Sequence, residues 1–149
     1  MRRVMWIAAA FVFGVSLSAR QDPKPPEFTG ATLLMQDGEK RTEVDAGLRF
    51  GDDTVTVVPH DKKQAKFMRC MKYSDVQSAE YTYGKSPRVT AALLVSPFFL
   101  FNASKSHWLT VKTADDYAIV RMDKKNYKLV IAELEKRAHI TVASVGESK

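Results

Sequence analysis

A chain of 149 residues that is 45% hydrophobic and 27% charged has the material for one domain with a buried core and too little for two. Its formal net charge of +6 favours anionic partners. With Cys70 as the only cysteine, no intramolecular disulfide exists, and stability has to come from packing.

The N-terminus, MRRVMWIAAAFVFGVSLSAR, sets Arg2 and Arg3 ahead of an apolar run from Val4 to Val15, followed by the small residues Ser16, Ser18 and Ala19. This is the layout of a secretory signal peptide, and the run is short of the about 20 residues that a membrane-spanning helix needs. We expect residues 1–19 to be a cleaved leader and the protein to be exported to a periplasmic or extracellular location. Loss of Arg2 and Arg3 with the leader takes the net charge from +6 to +4. Export, with no RNP, zinc-finger or helix-turn-helix signature, excludes nucleic acid as a partner.

Residues 20–29, which contain Pro23, Pro25 and Pro26, read as an extended linker. The domain is expected over residues 30–143 and a polar tail over 144–149. Short β-type runs alternate with turn signals from the start of the domain: ATLLM before QDGEK, AGLRF before GDD, TVTVVP before HDKK. The segment GLRFGDDTVTVV predicts a hairpin turning at Gly51, Asp52 and Asp53.

In AKFMRCMKYSDVQSAEYTYG two more strands are expected, broken at Ser74 and Asp75, with Cys70 as a semi-buried small hydrophobe. The basic residues Lys62, Lys63, Lys66, Arg69 and Lys72 read as a solvated strand face. HWLTVKT and DYAIVRM flank ADD as a further hairpin. After Met122 the period changes. DKKNYKLVIAELEKRAHI puts Tyr127, Val130, Ile131, Leu134 and Ala138 on one helical face, with Asp123 as the expected N-cap and Glu133 and Arg137 as an i,i+4 pair.

The fold class is therefore mainly β with one helix. The order of strand pair, then FMRCMKYSDVQSAEYTY, then HWLTVKTADDYAIVRM, then YKLVIAELEKR resembles bacterial pleckstrin-homology-like (PH-like, GRAM-related) domains. Their "I-x-Y-x-x-I" step looks like Met71, Tyr73 and Val76 here. The resemblance implies a small antiparallel β-barrel of about seven strands capped by one C-terminal α-helix. Such folds serve lipid binding, peptide binding and scaffolding alike. The basic lipid-headgroup motif of eukaryotic phosphoinositide binders is half present, in Lys40 and Arg49, but Gly51 stands where the last Arg belongs, so phosphoinositide binding is not implied.

Catalytic chemistry finds no support in the residue pattern. His60, His107 and His139 are far apart and make no metal-ligand spacing. Asp52–Asp53 and Asp115–Asp116 fall in predicted turns, where Asp is favoured for its local hydrogen bonds. Ser104 and His107 have no nucleophile-elbow motif around them. We expect no catalytic residues, no metal and no cofactor.

The uncharged stretch TAALLVSPFFLF, Thr90 to Phe101, stands apart. In a strand Phe98 and Leu100 would face one way and Phe99 and Phe101 the other, so one core cannot take all four, and Pro97 divides the stretch into two pieces. Two Phe-sized side chains left for a partner carry about 3 to 6 kcal/mol of apolar contact. The expected function is a non-enzymatic binding or scaffolding module that associates reversibly with an anionic lipid surface or an envelope protein through Arg88, Leu94, Phe98, Phe99, Phe101 and Lys105. The alternative is a structural homo-oligomer, a homodimer for instance, with the stretch buried and no ligand.

Overall fold

In the computed structural model of the chain, the described residues are 24–37, 40–85, 87 and 104–148. The leader and the predicted contact residues Arg88, Leu94, Phe98, Phe99 and Phe101 lie outside them. Alternating apolar residues build eight strands: β1 (Glu27–Asp37), β2 (Lys40–Phe50), β3 (Thr54–Pro59), β4 (Arg69–Lys72), β5 (Val76–Gly84), β6 (Ser106–Thr113), β7 (Tyr117–Met122) and β8 (Ala143–Ser148). One helix, α1 (Tyr127–Ala138), precedes β8, and short 3-10 turns span Lys62–Phe67 and Tyr73–Asp75. No helix among the described residues is long and apolar enough to cross a membrane.

The strands form one sheet in the order β4-β3-β2-β1-β7-β6-β5-β8. Every pairing is antiparallel except that of β8, which runs parallel to β5 with Glu80 opposite Ala143 and Gly84 opposite Ser148. The sheet is thus open, with β4 and β8 as its edges, and it does not close into the expected seven-stranded barrel. Closure would need the outer edge of β5, and β8 already occupies it. Residues 144–148, read from sequence as a polar tail, supply most of this strand, and Glu27, Phe28 and Thr29, read as linker, belong to β1.

The two faces of the sheet carry different cores because successive side chains in a strand point to opposite sides. Ala31 and Leu33 of β1, Leu109 and Val111 of β6, and Ala118, Val120 and Met122 of β7 pack with Leu48, Phe50, Val55, Val57, Val130 and Leu134 in the main core. On the other face Leu34, Trp108 and Ile119 form a second buried cluster against Tyr117. Trp108 is 1% exposed, and its indole Nε1 donates to the Gly84 carbonyl at 2.9 Å.

Helix α1 lies against the main core through the predicted stripe: Val130 and Leu134 are buried, and Tyr127, Ile131 and Ala138 pack partly against it. It starts at Tyr127, with Asn126 as the cap residue, three positions later than Asp123 would dictate. Asp123 instead closes the preceding turn: its carboxylate accepts from Lys125 N at 2.8 Å and its carbonyl from Tyr127 N at 3.0 Å. At the other end Arg137, paired with Glu133, donates to the Gly51 carbonyl at 2.8 Å, which Tyr73 Oη also reaches at 3.0 Å. The helix is thereby tied to the β2–β3 turn. Met71, Tyr73 and Val76 are all buried in the core.

Gly30 interrupts the β1–β2 register between Phe28 and Ala31 and takes a φ of +79°. A side chain there would be strained, and its Cβ would come within 3.1 Å of Asp123 Oδ2. The bulge therefore lets β1 pass close beside the turn that launches α1.

Candidate functional site

The β5–β6 register sets Tyr83 opposite His107 and Tyr81 opposite Leu109. Tyr81, Tyr83 and His107 accordingly project on the face that carries the main core, beyond the end that α1 covers. Tyr127, the first residue of α1, completes a stack: its ring lies 3.8 Å from the His107 centroid at 12° and 5.6 Å from Tyr81 at 10°. Tyr83 leans on His107 at 4.8 Å and 34°. Tyr81 Oη and His107 Nδ1 share a hydrogen bond of 2.8 Å. With the phenol donating, the imidazole keeps its proton on Nε2.

This stack floors a cavity of about 600 Å³, whose cationic rim is Lys124, Lys125 and Lys128. No Asp or Glu lines it. None of the three ammonium groups has a carboxylate partner among the described residues. A second cavity of about 290 Å³ adjoins the first, sharing Tyr83, His107 and Lys124, and is bordered by Lys105, Arg121 and Asp123. Together they make a trough with Tyr83 and His107 at its saddle.

The electrostatics follow from that company. Burial, and then the Lys124 charge, hold the His107 imidazole below its ordinary value of 6.5. Burial and the neighbouring Tyr127 push the Tyr81 phenol above its ordinary 10.0. At neutral pH both groups are uncharged hydrogen-bonding partners beneath a rim of lysines. Chemically the arrangement can accept an anion, donate hydrogen bonds to it and offer Tyr83, 42% exposed, as a flat apolar contact.

The His107 environment has a measurable consequence. An imidazole with a lower pKa folded than unfolded contributes its full stability above the unfolded value and loses it as pH falls from about 6.5 towards the folded one. Tm is expected to decline over that window, and His107→Gln to flatten the decline. An NMR titration placing the His107 midpoint at or above 6.5 would contradict this.

Of the residues proposed from sequence as contacts, Lys105 is described: it is exposed and borders the second cavity. Cys70, expected to be semi-buried, is exposed on edge strand β4, where the Thr56 hydroxyl approaches its sulfur at 3.6 Å. The basic run is split between the 3-10 turn Lys62–Phe67 and β4 rather than forming one strand face. Among the described residues no group of His, Cys, Asp and Glu is placed to hold a metal ion. The sequence reading passed over Tyr81, Tyr83, Tyr127 and Lys124, Lys125 and Lys128. The alternation YTY and the run DKKNYK were the available signals, but which histidine faces the tyrosines depends on register.

No family model and no curated protein matches the chain. Among solved structures it is similar to the C-terminal domain of an unknown protein from Leishmania infantum, at 13% identity and a TM-score of 0.44, over 76% of this chain and 86% of that one.

Proposed function

We propose that the protein is an exported, non-enzymatic binding module of the PH-like kind that holds an anionic partner of the cell envelope at the trough between β5, β6 and the start of α1. The observation that carries this reading is the convergence of Lys124, Lys125 and Lys128, without carboxylate partners among the described residues, on the Tyr81–His107–Tyr127 stack. Leaving three cations close together is unfavourable unless a counter-charge joins them.

Three further features support it. The strand order β4-β3-β2-β1-β7-β6-β5 followed by one helix, with Met71, Tyr73 and Val76 in the core, suits the PH-like pattern, β8 being an addition. The leader-like N-terminus fits an envelope location. The stretch Thr90–Phe101 falls in sequence between β5 and β6, and its Phe98, Phe99 and Phe101 are the apolar residues that the sequence assigns to a partner.

Protein expressed with its leader and recovered from the exported fraction tests the reading. It is expected to bind anionic vesicles or polyanion-coated beads at low salt and not their neutral counterparts. The double variant Lys124→Glu/Lys128→Glu is expected to bind about 30-fold more weakly or worse, at about 1 kcal/mol per charge removed near an anionic surface. Retention in the cytoplasm, absence of binding to either anionic probe, or full binding by the double variant would each defeat it.

A further inference from the structure

Resting on that reading, we infer that the partner in the trough is a linear acidic polysaccharide, one chain crossing Tyr83 with its carboxylates on the flanking cations. Shape is the first argument. The two cavities share Tyr83, His107 and Lys124, and the first continues to Lys125 and Lys128, the second to Lys105 and Ser106. A concave trough of this kind is filled by a chain, whereas a bilayer surface is flat on this scale and reaches only the rim.

The second argument is the state of the rings. His107 and Tyr127 cover each other at 3.8 Å, Tyr127 also stacks on Tyr81 at 5.6 Å, and solvent-exposed Tyr83 leans on His107 at 4.8 Å. Little aromatic surface remains for sandwiching a planar group. Tyr83, at 42% exposure, offers a single broad contact in mid-trough. A sugar ring presents an apolar C–H face suited to one such surface and carries its charge at the perimeter, where the lysines are. A nucleic-acid strand instead gains most from intercalating its bases between free aromatic faces.

Charge spacing is the third. Lys124 lines both cavities, with Lys125 and Lys128 in the first and Lys105 in the second, so cations lie along the path and Asp123 is the one carboxylate among its lining residues. The Arg121 guanidinium is on the opposite face of the sheet, over the Trp108 ring and 3.4 Å from Glu43, so the lysines are the anchors. Serial attachment of this sort makes affinity depend on the length of the polymer.

The experiment titrates the exported protein with galacturonate oligomers of graded length, their methyl esters, anionic vesicles and a single-stranded oligonucleotide, following heat and backbone amide shifts. A hexamer is expected to bind saturably at one chain per protein and a dimer about tenfold more weakly, with the esters inert. Tyr83→Ala is expected to lose about tenfold for the hexamer and Tyr83→Phe to retain it, each with an unchanged melting curve. Tighter binding of vesicles or of the oligonucleotide, equal affinity at all lengths, or indifference to Tyr83→Ala overturns the polysaccharide assignment while leaving an anion-binding trough in place. Failure of every anion overturns the underlying reading as well.

Discussion

Trp108→Ala is expected to destabilise the fold by about 3–5 kcal/mol and to lower Tm by roughly 10–20 °C. Trp108 is the largest fully buried side chain among the described residues, at 1% exposure, and it packs with Leu34 and Ile119 on the face of the sheet opposite α1. Truncation removes that apolar contact and also the indole donor to the Gly84 carbonyl, at the last paired residue of β5. Arg121, whose guanidinium lies 5.9 Å from the indole ring, loses its neighbour too. Trp108→Phe keeps most of the volume but not the donor, so it is expected to cost less, about 1–3 kcal/mol. Urea unfolding of the three chains gives the comparison. An alanine variant as stable as the parent would show that the second cluster contributes little.

Leu134→Ala is expected to cost about 2–5 kcal/mol, whereas Leu129→Ala, on the same helix, is expected to stay within about 0.5 kcal/mol of the parent. The side chains are identical and differ in what they touch: Leu134 is 1% exposed within the main core and Leu129 is 61% exposed. Helix propensity does not separate them, since both changes exchange one strong helix former for another. Thermal melts of both variants read the difference directly. Equal losses would mean that α1 does not dock through its Val130 and Leu134 face.

How far such features can be read from sequence depends on whether they are local. The α1 stripe is local: five residues at helical spacing announce the face that packs, and all five contact the main core. The turns at Gly51–Asp53 and Thr113–Asp116 are also local, closed by Gly51 N to Thr54 O at 2.8 Å and Thr113 N to Asp116 O at 2.8 Å. The break at Ser74 and Asp75 falls within a 3-10 turn between β4 and β5.

What escaped is non-local. ASVGES has little strand character of its own and becomes β8 because the edge of β5 is open to it, so its state is decided by a partner some 60 residues away, Glu80 pairing with Ala143. The trough has the same origin. His107 reads as an isolated histidine until the β5–β6 register sets it against Tyr83 and α1 delivers Tyr127 onto its ring. Three short polar and aromatic patches, each ordinary alone, acquire a shared purpose through pairing that no single window of sequence contains.

The parallel run of β8 along β5 also bears on how the protein is handled. Because Ser148 ends beside Gly84, one residue from Tyr83, anything fused after the last strand emerges next to the trough. An affinity tag, a fluorescent fusion or a sensor-chip linkage placed there would crowd the surface being assayed. The chain carries its own remedy at the far edge of the sheet, where the sole thiol, Cys70, is exposed on β4 and available for single-site maleimide coupling that points the trough outward.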